Sequence, residues 1–234
     1  MKIGIICAMK IEVDALKASI KNATAETIAR IDFVTGTINN VEVVAVECGV
    51  GKVNSAICTQ IMIDKYAPDY IVNSGIAGSL SSVVGIADIV IADNVVQHDM
   101  NITALGNKMG EIEFNDEKRI NIPTDTFITE KIKNACNAVV DKDTKVIVGT
   151  IATGDIFVSG KEKRATVATR FNALACEMEG GSIGQVCYRN GVPFSVLRCI
   201  SDDFDERYFM DYSEFSKISA NKTIAILNNF LQNM

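Results

Sequence analysis

The chain of 234 residues has one histidine, three prolines and no tryptophan. With a single His, acid–base chemistry falls to Asp and Glu, and no metal site is expected because no spaced His/Cys cluster exists. The seven cysteines (Cys7, Cys48, Cys58, Cys136, Cys176, Cys187 and Cys199) are odd in number, scattered and mostly inside apolar runs, with no C-x-x-C pair. They read as buried thiols of a reducing cytoplasm, not as a disulfide framework or a redox motif. Cations are few: 23 Lys and Arg against 29 Asp and Glu give a net charge of −6, and nothing gathers them into a stripe. That disfavours nucleic acid as a partner, since phosphate neutralisation needs a clustered cationic face. No uncharged apolar stretch approaches 18 residues, so no membrane span is expected. The apolar run from Met1 to Cys7 meets Lys10 and Glu12 too early for a signal-peptide core and reads as a first strand. A Walker Gly-Lys-Ser/Thr pattern and a nucleophile elbow are both missing.

What is present fits an ordinary globular protein, at 48% hydrophobic and 22% charged residues with 16 glycines. A chain of this length buries roughly 70% of its unfolded surface, enough for a core without metals or disulfides. With no linker and no internal repeat, residues 1–234 are expected to form a single domain.

Strand and helix patterns alternate. Lys2–Cys7 is β-rich, and the spacing of Val13, Leu16 and Ile20 predicts a helix from Ile11. Phe33–Thr37 and Val41–Glu47, joined through Asn39-Asn40, read as a hairpin. A helix is expected from Lys52 to about Tyr66, followed by extended runs at Tyr70–Asn73, Asp88–Ala92 and Asn94–Gln97. Residues 99–123 read as a long irregular loop, which is uncommon unless functional. Further helices are expected at Thr126–Val140, Lys161–Phe171, Gly181–Arg189 and Ser213–Leu231, and strands at Lys145–Ile151, Ala173–Met178 and Phe194–Ile200. The alternation predicts an α/β fold of three layers, α/β/α, with the hairpin making the central sheet mixed.

In open α/β sheets ligands sit beyond strand ends. The strand-end segments carry Met9 and Glu12, Gly49-Val50-Gly51, Gly75-Ile76-Ala77-Gly78, Gly154-Asp155-Ile156-Phe157, Glu177-Met178-Glu179 and Ser201-Asp202-Asp203. Glu12 is either a first-turn helix acid, favoured there by the helix dipole, or a functional carboxylate. Glu177 and Glu179 would share a face on an extended segment, with Met178 opposite; buried, at least one must meet a ligand or a cation. Asp202 follows the apolar run from Val196 to Ile200, whose one charge, Arg198, requires an acidic partner; a helix N-cap is its simpler role. Gly49-x-Gly lacks the third glycine of a dinucleotide fingerprint, and His98-Asp99 is more often a structural pair than a catalytic one.

Taken in order, these segments resemble the bacterial 5′-methylthioadenosine/S-adenosylhomocysteine nucleosidases of the nucleoside phosphorylase superfamily. The resemblance rests on the opening Met1-Lys-Ile-Gly-Ile-Ile with Ala8-Met9 and Glu12, and on Gly49-Val-Gly-Lys-Val53. It continues through Asn73-Ser-Gly with Ala77-Gly78, His98-Asp99 with Thr103-Ala104, Gly154-Asp155 with Phe157, Glu177-Met-Glu179, Val192-Pro-Phe, Arg198 and Ile200-Ser-Asp202.

The resemblance implies hydrolysis of the adenine–ribose bond of methylthioadenosine, S-adenosylhomocysteine and 5′-deoxyadenosine, without a cofactor. Asp202 would serve adenine N7, Glu12 the attacking water and Glu179 the ribose hydroxyls. Two carboxylates on opposite sides of one bond is the logic of inverting glycoside hydrolysis. Phe157 would stack on adenine, the Val158 backbone would read its edge, and Met178 would pack on the ribose, with Met9 and Ser201 in the substrate site. Arg198 would lie near the water and Glu12. Val50, Ile102, Leu105 and Tyr212 would form the 5′-alkylthio pocket, Ile102 and Leu105 coming from the second subunit of a homodimer.

The chain departs from the pattern at Lys10-Ile11, at Ile76 where a Ser is frequent, at Asn107 and Glu113 of the alkylthio pocket, and at Gly180-Gly181. Three other readings follow from the same residues: a phosphorolytic relative, a 6-amino-6-deoxyfutalosine hydrolase and a non-catalytic nucleoside-binding protein.

Overall fold

The computed structural model describes the backbone of residues 1–204 and 212–234 and the side chains of 1–204 and 218–234. Its first half runs β1 (Lys2–Cys7), α1 (Lys10–Ser19), β2 (Lys21–Ile28), β3 (Ile31–Ile38), β4 (Val41–Glu47), α2 (Lys52–Tyr66), β5 (Tyr70–Ser79) and β6 (Ile89–Gln97). A 3₁₀ turn at Thr103–Leu105 and the short strands β7 (Ile112–Glu113), β8 (Lys118–Arg119) and β9 (Ile122–Pro123) follow. The chain then forms α3 (Thr126–Val139), β10 (Val146–Thr153), α4 (Lys161–Phe171), β11 (Ala173–Glu177), α5 (Gly180–Asn190), β12 (Phe194–Asp202) and α6 (Tyr212–Gln232).

The large sheet has the order β11-β10-β6-β12-β5-β1-β4-β3-β2. Its central strands are buried on both faces, so side chains alternate between two cores. Ile3, Ile5, Val43, Ala45, Leu197 and Cys199 point to the core covered by α1, α3 and α6. Ile6, Val44, Val46, Val196 and Ile200 point to the core covered by α2 and α5. The three-layer α/β/α arrangement with a mixed sheet is thus the one expected. Among the described residues no helix is long and apolar enough to cross a membrane.

The hairpin is only one source of the mixed character. β12 also runs antiparallel to β6 (Leu197 opposite Ile91), and β11 runs antiparallel to β5 (Cys176 opposite Gly78). Because β11 pairs with β10 as well, the strands β11, β10, β6, β12 and β5 close on themselves.

One strand is new and three expectations are corrected. Residues 21–28 form β2, an edge strand exposed along almost its whole length, so no inward apolar alternation marks it. Ile20 caps α1 instead of continuing it. The runs at Asp88–Ala92 and Asn94–Gln97 are one strand, β6. The run beginning at Tyr70 continues through the glycines to Ser79, because Gly75 and Gly78 leave room for side chains arriving from elsewhere. A Cβ on Gly75 would stand 2.9 Å from Glu12 Oε1, and one on Gly78 would stand 3.3 Å from Asp202 Oδ1. The 99–123 segment is largely irregular, as expected, with a two-stranded β7–β8 ladder set into it.

Candidate active site

One pocket gathers the ends of these strands. Its wall includes Met9 and Glu12 after β1, Val50 after β4, Ile76, Ala77 and Gly78 of β5, Ile156, Phe157 and Val158 after β10, Cys176 to Glu179 at the end of β11, and Ser201 and Asp202 of β12.

Glu12 sits in the first turn of α1 and folds back over the helix start. Its Oε2 accepts from the backbone N–H of Met9 (3.0 Å) and Ala8 (3.2 Å), and its Oε1 from that of Ile76 (3.2 Å). The helix-cap reading thus holds for a carboxyl group that also lines the pocket. It is 4% exposed. Burial lifts its pKa above the ordinary carboxylate range, against the opposing pull of Arg198 and of these N–H groups.

Glu177 and Glu179 do not share the face of an extended strand. β11 ends at Glu177 and Glu179 is the N-cap of α5. The chain turns between them, and Met178 lines the pocket with both instead of pointing away. Glu177 forms a buried ion pair with Arg198, takes the Thr153 hydroxyl and accepts from the backbone N–H of Gly180 (2.7 Å) and Glu179 (3.0 Å). Burial opposes its charge, but Arg198 and these donors hold its pKa below the usual value.

Glu179 is served less well. Its Oε1 accepts from Gly51 N–H at 2.9 Å, and its Oε2 lies 3.7 Å from Arg198. Burial and the neighbouring Glu177 charge push its pKa up to about 7. Gly51 can aim its N–H there because the loop takes φ of +83° at Gly49 and +100° at Gly51, conformations that favour glycine. Asp155 steadies the loop from across the pocket mouth, accepting from Lys52 N–H at 2.8 Å.

Arg198, expected near the water and Glu12, lies close to Glu12 but does not line the pocket. It is 1% exposed, and it donates to Asn73 Oδ1 (2.5 Å) as well as to Glu177. It reaches towards Glu12 over Gly75, where its Nη1 would lie 3.3 Å from a Cβ.

Asp202 is turned into the pocket by a register shift between Ile200 and Asp202 on β12. Its Oδ1 accepts from Ser79 N–H at 3.0 Å, and both its oxygens face Arg164 of α4, at 2.7 and 3.0 Å.

Val158 is buried, whereas Phe157 is 70% exposed and offers a free ring face. The Ser201 hydroxyl donates to Ala77 O at 3.2 Å. Ile102 and Leu105 do not line the pocket of their own chain, and Leu105 is 80% exposed. The side chain of Tyr212 lies outside the described residues. His98 is buried away from the wall, and Asp99 pairs with Lys52 at 2.6 Å.

The structure adds wall residues that the sequence did not single out as site positions: Ala8 and Cys176, with Arg164 behind Asp202. Arg164 carried no signal, because a lone Arg after Lys161-Glu162-Lys163 reads as a solvated helix face. Among the described residues no cluster of three or more His, Cys, Asp or Glu is placed to hold a metal.

The family model of the phosphorylase superfamily matches residues 2–232. The chain belongs to that superfamily. A 5′-methylthioadenosine/S-adenosylhomocysteine nucleosidase from Shewanella sp. (strain MR-7) is 38% identical over 216 residues, 92% of this chain and 89% of its own. One from Shewanella loihica (strain ATCC BAA-1088 / PV-4) is 39% identical over 217 residues, 92% of each chain. The S-adenosylhomocysteine nucleosidase of Streptococcus pyogenes in complex with 5-methylthiotubericidin superposes with a TM-score of 0.91 at 34% identity, covering 100% of this chain and 97% of its own.

Proposed function

We propose that the protein hydrolyses the bond between C1′ of ribose and N9 of adenine in 5′-methylthioadenosine and S-adenosylhomocysteine, and in 5′-deoxyadenosine, with residues 1–234 acting as one nucleosidase domain. The water oxygen bonds to C1′ as the C1′–N9 bond breaks. Glu12 takes the proton from the water, and Asp202 meets N7, where the departing base gains one. Glu179 holds the ribose hydroxyls, Met178 packs on the sugar, Phe157 stacks on the base and the Val158 backbone reads its edge.

The observation that carries this reading is the anchoring of two carboxyl groups on one strand. Glu12 is tied to Ile76 N–H and Asp202 to Ser79 N–H, three residues apart and so about 10 Å along β5. A base and an acid at that separation leave room for a water, a sugar and the edge of its leaving group. Simple binding requires no such pair.

Phosphorolysis is served poorly. Among the described residues no Lys, Arg or His lines the pocket, and Arg198 is engaged by Glu177 and Asn73. Asn107, which donates to Glu113 at 2.8 Å, lies with Ile102 and Leu105 outside the wall of its own chain's pocket, so the 6-amino-6-deoxyfutalosine reading is separated by assay: cleavage of that substrate and not of methylthioadenosine would favour it. Val50, the only described 5′-pocket candidate in the wall, is half exposed. That fits a homodimer in which Ile102 and Leu105 close the alkylthio end of the neighbouring site. Exposed Val53 and Ile57, one turn apart on α2, supply apolar surface for such contact. A cytoplasmic role in methionine salvage and S-adenosylmethionine recycling accords with seven free, buried cysteines.

Adenine release from methylthioadenosine in phosphate-free buffer tests the reading. Release by the parent and loss in Glu12→Gln is the expected result; release only on adding phosphate would overturn it.

A further inference from the structure

Helix α4 buries only two of its residues, Phe171 and Arg164. Arg164 is 1% exposed. A guanidinium is kept out of water only where its donors are met by acceptors in fixed positions. Here Nη1 donates to Asp202 Oδ1 (2.7 Å), Asp203 O (3.0 Å) and Ser79 O (3.2 Å), while Nη2 donates to Asp202 Oδ2 (3.0 Å). This is the two-pronged geometry that fixes a carboxyl group in position and in plane. Ser79 N–H completes the hold from the strand side. The glycine at position 78 leaves the carboxyl without a side chain pressing on it from β5.

We propose that Arg164 is a positioning residue for the reaction, its guanidinium locking the Asp202 carboxyl in the orientation that meets the leaving base. The inference rests on the reading of Asp202 given above. Whether Asp202 gives a proton to N7 or accepts from a protonated N7, its oxygens must lie in the plane of the base. α4 starts at Lys161, four residues after Phe157. One short segment therefore holds both the ring that faces the base and the cation that orients the carboxyl at its edge. A displaced base and a displaced Asp202 would follow together from a shift of this segment.

A double-mutant cycle on methylthioadenosine hydrolysis tests the proposal, using the parent, Arg164→Met, Asp202→Asn and the double variant, each checked for folding by thermal melt. In Arg164→Met, kcat is expected to fall about a hundredfold, the scale of a misplaced catalytic group, with KM within about threefold. The double variant should match Asp202→Asn within about threefold, because a residue that acts only through Asp202 has nothing further to remove. Arg164→Lys keeps the charge without the fork and should recover part of the loss. It replaces Arg164→Met in the cycle should the latter not fold. Losses that multiply, a loss confined to KM, or an unchanged kcat would each overturn the proposal. A parent that releases no adenine overturns the underlying reading and the inference with it; an active parent with multiplying losses overturns the inference alone.

Discussion

Replacing Arg198 with Met removes the guanidinium that faces Glu12, Glu177 and Glu179 and leaves a side chain of comparable length. Arg198 is 1% exposed and Glu177 is 7% exposed, so the remaining carboxylate would be stranded in the interior facing Glu179. Removing one partner of a buried pair destabilises by about 3–5 kcal/mol. Glu177 keeps the Thr153 hydroxyl and two backbone N–H groups, which places the loss near the lower figure. At roughly 2–4 °C per kcal/mol for a chain of this size, the melting temperature should fall by about 10 °C near pH 8. Circular dichroism is the suitable probe, since there is no Trp to follow. The pH dependence has a definite sign. In the parent, Glu177 is held below its unfolded value, so its contribution is present above that value and is lost as pH falls through the folded one. In the variant the same carboxyl is penalised when charged, so the deficit should shrink as the solution is acidified. Arg198→Met/Glu177→Gln, which removes the stranded charge as well, should regain more than half of the loss. A single variant melting within about 2 °C of the parent, or a double variant no better than the single, would refute the reasoning.

Three further outcomes are expected. Glu12 must be ionised to accept a proton, and burial holds it above the ordinary carboxylate range; kcat should therefore fall on acidification with a midpoint above about 4.3, and a midpoint at or below that value would contradict the assignment. Glu179, raised to about 7, contributes stability below its unfolded value that is lost as pH rises toward 7, so Glu179→Gln should melt above the parent at pH 8, converge with it at low pH, and lose most turnover. Gly75→Ala would set a Cβ 2.9 Å from Glu12 Oε1 and 3.3 Å from Arg198 Nη1; kcat should drop roughly a hundredfold through the displaced base, whereas KM stays within about threefold.

The elements legible in the sequence are those whose burial follows from their own pattern. The run at Lys2–Cys7 is apolar because β1 is covered on both faces, and Lys161–Phe171 was bounded to the residue. β2 was invisible because an exposed edge strand has no face to bury. In the site, both halves of the Glu177–Arg198 pair could be inferred separately: two neighbouring acids require a cation, and an Arg within an apolar strand requires an anion. Their pairing is tertiary and could not be. Arg164 left no trace for a related reason. Its environment is made by Asp202, 38 positions away, while its sequence neighbours are charged and solvated.

The closed ring of strands explains why these charges share one small space. β11 can pair with β5 only where Gly78 and Ser79 admit it, and that pairing carries Glu177 and Glu179 over the same strand that anchors Glu12 and Asp202. Three carboxyl groups then face the single guanidinium of Arg198, which cannot satisfy all of them. Glu177, with the cation and three other donors, has its pKa held below the usual value. Glu12, with three N–H groups, and Glu179, with one, are left with raised pKa values. A stability-optimised interior would have replaced two of the three with neutral residues. Keeping them leaves the pKa values of Glu12 and Glu179 above the ordinary carboxylate range, and on the proposed reading the shortage of cations that costs the fold stability is also what raises the basicity of Glu12 as the acceptor of a proton from water.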